Sequence, residues 1–580
     1  MATFYEIRTP DADQPWDGQG LPAGPRAAMV GLIGLLAAIA APYLVVLAAG
    51  DGGDPDGDGD QVLAKIADLR AWIPGDELPF EKMFSIHGAG PAVAEAGGSK
   101  AAAVEDPPIT AVAGEGDELE PVELLVDPDP DPVAPAPVDA NSAAALPPGA
   151  ADASAATATD AAAATDAADA SAAAPDAAAT SPDPFARIAI PDRLWEGVTA
   201  EIEDPSGAMA PFYESLARTA LKEEGAVTRI AQWGDSAIAA DGMTSMARRL
   251  LQRQFGDAGH GFSLVAAGTP WYLRKDIEWT SRGFKSREFI RKQAKDGRYG
   301  YGGVAGVGYL GAHASWATVD EGPVGRTAGA FELWYHKGRG HGRLQIQVDG
   351  QERVVLDTSA EAPEDARYRL TVEDGPHTFK IRNVGGGVTR VYGAVVEREV
   401  PGVVYDSIGV VGARAARQLF ADEAHTQAQL AQRDLDLMVF MYGGNALPDS
   451  TRLEAYQASF LQVLQRFRAG APDAACLVMS PLDHGERRRG RIRTVPRMYD
   501  LMKAQKAAAF EAGCAWYSIF DAMGGEGAIG RWYNASPRLA ASDLAHPTGR
   551  GSKVLGRLWH KSLMKGFAGW LKARKAAAPP

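Results

Sequence analysis

From about residue 185 onward the chain alternates between two hydrophobic periodicities. Apolar residues recur at helical spacing over 192–224, broken near Pro205, and again over 244–255; the run Val227–Trp233 between them reads as a strand. Between about 259 and 400 the period shortens to two. Phe331, Leu333 and Tyr335 alternate with other residues, as do Leu344, Ile346 and Val348, and Gly or Asp-Gly turns separate the runs. Short alternating strands with such turns predict a β-sandwich. After residue 400 strands and helices alternate again. "GVVYDSIGVVG", "LDLMVFMYGGN", "AACLVMSPLD" and "CAWYSIFDAM" read as strands. "ARAARQLF", "DSTRLEAYQASFLQVLQRFRAG" with an Asp or Ser cap, "TVPRMYDLMKAQKAAAFEAG" and "GRGSKVLGRLWHKSLMKGFAGWLKARK" read as helices. That rhythm predicts an α/β domain with a parallel sheet and helices on both faces. The expected layout is a first part over 186–258, an inserted β-sandwich over 259–400 between the first and second strands, and a second part over 401–575.

The N-terminal third follows another pattern. Residues 27–50, "AAMVGLIGLLAAIAAPYLVVLAAG", are uncharged and long enough to span a bilayer as a helix. A stretch of 26 residues rich in polar side chains precedes the span, so an uncleaved anchor is expected rather than a signal peptide. Arg26 before it and the aspartates after it place residues 1–26 in the cytoplasm and the rest outside. Residues 51–185 are rich in Ala, Asp and Pro and carry about 27 acids against four bases. They read as a disordered, self-repelling tether, with Gln61–Phe84 less biased and reading as one helix.

Charge then changes the picture only slightly. The chain's −16 is set by the tether, and the remainder is weakly positive. No basic run points to nucleic acid. Two cysteines, Cys476 and Cys514, exclude a disulfide framework and a zinc site. Their places near the starts of successive strands permit one bridge; two buried thiols are the expectation.

In open α/β sheets, sites form at the carboxyl ends of the strands. Ser236 follows the first strand in "WGDSAIAADG", Gly412 the next core strand, Asn445 ends "VFMYGGN", and Asp543 and His546 precede the last helix in "SDLAHPTGRG". A serine nucleophile, a His546 base, an Asp543 that fixes its tautomer, and donors from Ser236, Gly412 and Asn445 are what acyl transfer requires. No metal or cofactor is needed for it.

Those residues, in that order, resemble the SGNH (GDSL-type) hydrolases, whose four blocks contribute Ser, Gly, Asn and an Asp-x-x-His pair. The resemblance covers about 190–575. It implies a three-layer α/β/α, flavodoxin-like sheet. Ala446 departs from the acidic residue that follows the Asn in many members. With "FGDAGHGF" and "DAMGGEG", the inserted module also resembles bacterial peptidoglycan O-acetylesterases, in which a jelly-roll-like, carbohydrate-binding-like β-domain sits at this place. That likeness implies deacetylation of muramic-acid O-6 through an acyl-enzyme on Ser236, with an O-acetylated glycan as substrate; the 27–50 span and its flanking charges make the expected protein a single-pass one of the bacterial inner membrane, its catalytic domain facing the periplasm or wall. The rival readings are a non-catalytic glycan-binding envelope protein, and an esterase or acetyltransferase acting on another polysaccharide or lipid ester. Trp271, Tyr272, Trp279, Trp316, Trp334 and Tyr335 offer either a sugar-stacking platform or sandwich core. Asp483-His484 reads as a decoy acid/base pair.

Overall fold

A computed structural model describes residues 125–126 and 183–577. The predicted cytoplasmic segment, the anchor over 27–50 and the 61–84 helix lie outside the described residues. Among the described residues no helix is long and apolar enough to cross a membrane.

Part of the predicted tether is ordered strand. β1 (Leu125–Val126) pairs antiparallel with β2 (Ile188–Ala189). It belongs to "VELLVD", an apolar island in the acidic tract. The fold also begins slightly before residue 186. Phe185 is buried, and Asp183 both caps its turn and bonds Arg574 of the last helix at 2.9 Å.

The core sheet is built from β3 (Ile202–Glu203), β4 (Val227–Gly234), β14 (Gly402–Gly409), β15 (Leu437–Met441), β16 (Ala475–Met479) and β19 (Ala515–Tyr517). Its order is β14-β4-β15-β16-β19-β3. The first five strands are parallel and the two-residue β3 closes the edge antiparallel. The parallel strands therefore run 2-1-3-4-5 in chain order, the flavodoxin-like arrangement. They read as near-continuous apolar runs because both faces are covered. On β15, Leu437, Val439 and Met441 point into one core, with α1 (Ala210–Ala220), α3 (Gly242–Phe255) and the terminal helix α9 (Gly549–Ala577). Met438 and Phe440 point into the other, with α5 (Leu453–Gly470) and α6 (Arg497–Glu511). The predicted cap of α5 is displaced. The helix starts at Leu453 behind Arg452, with no side-chain cap, because the Asp449 carboxylate is instead held by Nε and Nη2 of Arg414, at 2.6 and 2.7 Å.

The module between β4 and β14 is a nine-stranded antiparallel sheet rather than two separate sheets. Its strands are β5 (Gly259–Leu264), β6 (Glu278–Glu288), β7 (Val304–Ala317), β8 (Ala328–Lys337), β9 (Arg343–Val348), β10 (Gln351–Asp357), β11 (Glu364–Gly375), β12 (Thr378–Asn383) and β13 (Thr389–Glu397). The long β7 pairs with β6 along its whole length, and also with β13 near its start and β12 near its end, so one hydrogen-bonded sheet folds over its own core. Phe331 on β8 stacks on Phe379 of β12, with centroids 5.0 Å apart. The aromatic residues are mostly core. Trp316, Trp334, Tyr335 and Tyr272 are buried, and only Trp271 and Trp279 are partly open. The module shares a core with the parallel sheet, since Tyr301 packs edge-on to Trp233 of β4 at 5.4 Å. A buried polar seam fixes it further: Asp406 of β14 accepts from Phe262 N, Tyr301 Oη and the Arg433 guanidinium.

Cys476 on β16 and Cys514, just before β19, form a disulfide, against the expected pair of thiols. Adjacent strand starts bring their Cα atoms to 4.6 Å, inside the range a bridge requires. The closed loop spans 38 residues, for which unfolded-state entropy gives a stabilisation of about 2–4 kcal/mol. Cys476→Ala/Cys514→Ala is expected to lower the unfolding free energy by that amount in urea titrations, with the native fold retained in the absence of denaturant.

Candidate active site

The site sits where the strand order reverses, at the carboxyl ends of β4 and β15, the usual crevice of such sheets. β4 ends at Gly234, where any Cβ would lie 2.7 Å from the Met441 carbonyl of β15. Glycine there lets the two strands stay in register up to the last residue. Asp235 then caps the short helix α2 (Ser236–Ala239), its Oδ1 accepting from Ala237 N at 3.1 Å. Ser236 is thereby presented as the first helical residue, where a backbone N–H has no acceptor within the helix.

Ser236 Oγ lies 2.7 Å from His546 Nε2. His546 Nδ1 lies 2.7 Å from Asp543 Oδ2. The Asp543 Oδ1 atom accepts from the backbone N–H of Ala545 and His546, at 3.0 and 3.1 Å. The Asp-x-x-His turn thus folds back on its own carboxylate, with Leu544 held at φ +58° between the pair, a conformation a non-glycine residue adopts at some cost. A carboxylate on Nδ1 requires the proton there, which leaves Nε2 to accept from the serine hydroxyl. Burial pushes the His546 imidazole down, but the hydrogen bond and charge of Asp543 and the charge of Asp235 outweigh it, and the net shift is upward from 6.5. Burial likewise raises the Asp543 carboxyl, and its bonds to His546 and the backbone bring it below the usual carboxylate value.

Gly412 lies in the loop after β14 at φ +78°, and a Cβ there would meet open space. Backbone conformation rather than packing against protein demands glycine here. Its N–H donates to no described protein acceptor. Asn445, in the turn after β15, joins this loop to the nucleophile: Nδ2 donates to the Ala413 carbonyl and to Asp235 Oδ2, each at 3.2 Å. Both amide protons are engaged, so Asn445 holds the loop and Asp235 together, and donation to a bound oxyanion requires one of these two long bonds to be exchanged for it. The network that an acidic residue at 446 would serve is made through Asp235 instead.

Four features of the site have no role assigned to them by the sequence reading. Asp235 is buried, and burial raises its carboxyl despite the bond from Ala237 N, the neighbouring imidazoles of His484 and His546, and the Asn445 amide. An Asp directly before a helix start was the available signal. His484 lines the same cavity as Ser236 and His546. Its Nδ1 donates to the Leu482 carbonyl at 2.8 Å and burial holds the ring below its usual pKa, so Nε2 carries a lone pair. Asp483 faces elsewhere and accepts from Ile529 N; the two do not act as a pair. Arg414 also lines the cavity, and so does the base of a short hairpin discussed below. The cavity has a volume of about 450 Å³, enough for a small acyl group and part of the alcohol that carries it.

Residues 374–554 match the GDSL-like Lipase/Acylhydrolase family. The chain carries a GDSL-like acylhydrolase domain. The matched span holds Gly412, Asn445, Asp543 and His546; Ser236 precedes it, beyond the inserted module. A domain of that family is a carboxylic ester hydrolase. Among solved structures, one titled "Peptidoglycan O-acetylesterase in action, 5 min" is similar in fold, with a TM-score of 0.54 and 19% identity, covering 64% of this chain and 99% of the other. A family two carbohydrate esterase from Cellvibrio japonicus aligns with a TM-score of 0.22 and 11% identity, covering 51% and 99%. No curated protein sequence matches the chain.

Proposed function

We propose that the protein removes O-acetyl groups from a cell-envelope glycan, peptidoglycan foremost, through an acyl-enzyme on Ser236. The observation that carries this is the continuous line of two 2.7 Å hydrogen bonds from Ser236 through His546 to Asp543. The fold likeness to a peptidoglycan O-acetylesterase, extending over the inserted module, supports the choice of glycan. In the first step Ser236 Oγ attacks the acetyl carbonyl while His546 Nε2 takes its proton. The N–H groups of Ser236 and Gly412, with the Asn445 amide, stabilise the oxyanion. Collapse expels the sugar alkoxide, which leaves with the proton from His546. Water then attacks the acetyl-serine by the same route, giving acetate and free enzyme.

The Cys476–Cys514 bridge supports an oxidising compartment for this domain. It fits a membrane-anchored protein with its acylhydrolase domain outside the cytoplasm. The deciding experiment is acetate release by the full chain from a small acetyl ester, O-acetylated peptidoglycan and acetylated xylan, with Ser236→Ala alongside. The expected ranking puts peptidoglycan above xylan by at least tenfold in kcat/KM. Equal or reversed ranking would redirect the reading to another acetylated polysaccharide.

A further inference from the structure

Beyond β16 the chain passes through Pro481–His484 along the cavity wall and leaves as a hairpin. β17 (Gly485–Arg488) and β18 (Arg491–Thr494) are joined by Arg489 and Gly490 at φ +50° and +76°, the left-handed pair of a tight hairpin turn. The hairpin is anchored directly on the site. Gly485 N donates to the Leu544 carbonyl at 2.7 Å, inside the turn that carries Asp543 and His546. Gly485 and Val495, one at the hairpin's start and one just beyond its end, line the same cavity as Ser236. From there its four-residue strands extend roughly 13 Å.

Its composition is poorly suited to folding alone. Arg487, Arg488, Arg489, Arg491 and Arg493 are all exposed, against one acid, Glu486. Arg488 and Arg491 stand directly opposite each other, and like charges so placed destabilise a pair of strands. Arg487 packs over the Tyr533 ring and Arg488 pairs with Glu486. Arg489, Arg491 and Arg493 make no ion pair with any described residue. Exposed guanidinium groups concentrated on a hairpin rooted in the cavity wall attract anionic ligands and bind planar carboxylates through paired N–H donors.

We propose that this hairpin is a carboxylate-recognition rim, which selects acetyl esters borne on a carboxylate-bearing glycan over neutral ones. The proposal rests on the esterase reading above and names the substrate class of that site. In peptide-substituted glycan strands the carboxylates flank the ester, so the arginines bind the polymer beside the reacting sugar. Such contacts exist equally in ground and transition states, and they therefore lower KM with little effect on kcat.

The test compares acetate release by the full chain on O-acetylated peptidoglycan and on the same material with its carboxylates amidated. A small neutral acetyl ester reports on the reacting groups. Wild type is expected to favour the free-carboxylate glycan by about tenfold or more at low salt, a preference that shrinks as salt shortens the screening length to a few ångströms. Replacing Arg488, Arg489, Arg491 and Arg493 by Gln is expected to abolish the preference through KM and leave the small ester untouched. Equal kcat/KM of wild type on the two glycans at low salt would overturn the proposal, without needing the variant at all. So would equal loss by a folded variant on the glycan and the small ester, which would make the hairpin a prop for the Asp543–His546 turn. Absence of Ser236-dependent hydrolysis of the small ester would instead sink the esterase reading itself.

Discussion

Ser236→Ala is expected to lower kcat for acetyl-ester hydrolysis by roughly 10⁴–10⁶-fold, with the fold and substrate affinity retained. The side chain is small and only its Oγ is used, in the 2.7 Å bond to His546. Alanine favours helix and Ser236 is the first residue of α2, so the backbone there is undisturbed. The α2 cap belongs to Asp235 and survives the change. Binding of an acetylated oligosaccharide should therefore persist while turnover disappears. Stopped-flow or pulse-labelling of wild type should trap acetyl on a peptide containing Ser236, and the variant should show none. Residual turnover within tenfold of wild type would transfer the nucleophile elsewhere, and the rival reading of a glycan-binding protein would gain ground if both forms were inert yet bound glycan.

How far the sequence carried this reading depended on which force decided each element. The parallel strands are buried on both faces, so Leu437–Met441 and Ala475–Met479 announce themselves as apolar runs, and their order along the chain leaves few topologies. The residues meant for one site, Ser236, Gly412, Asn445, Asp543 and His546, all follow such strands or precede the last helix, and chain order alone places them at one edge. Tertiary competition was not visible. Asp449 is a good helix cap in isolation, but Arg414 lies 35 positions back in the chain and takes its carboxylate. The period-two stretch announces strands but not that β7 would change partners along its length. Cys476 and Cys514 could be read either way until the neighbouring strands set their separation. His484 was discounted because its neighbour Asp483 suggested a pair. The chain turns between them, and only one of the two enters the cavity. The arginine hairpin carried no hydrophobic periodicity at all, so pattern reading passed over it.

Asp543→Asn is the sharper test of how the base is held. Asp543 accepts the His546 Nδ1 proton at 2.7 Å and is itself steadied by two backbone N–H groups. Asparagine fits the same space, but its amide can offer an N–H to Nδ1. That places the imidazole proton on Nε2, where it meets the serine hydroxyl as a donor instead of accepting from it. A loss of roughly 10³–10⁴-fold in kcat follows. The pH profile gives a second, independent readout. His546 acts as base only when neutral, and its folded-state value lies above 6.5. In wild type kcat/KM should accordingly fall as the pH drops through a midpoint above 6.5, higher than for an unperturbed histidine. Asp543 supplies both the hydrogen bond and the largest opposing charge that raise this value against the downward pull of burial. Its neutralisation should move the acid limb of the residual activity to lower pH, toward or below 6.5. An unshifted limb in Asp543→Asn would mean that another group, with the buried His484 the first to examine, titrates in its place.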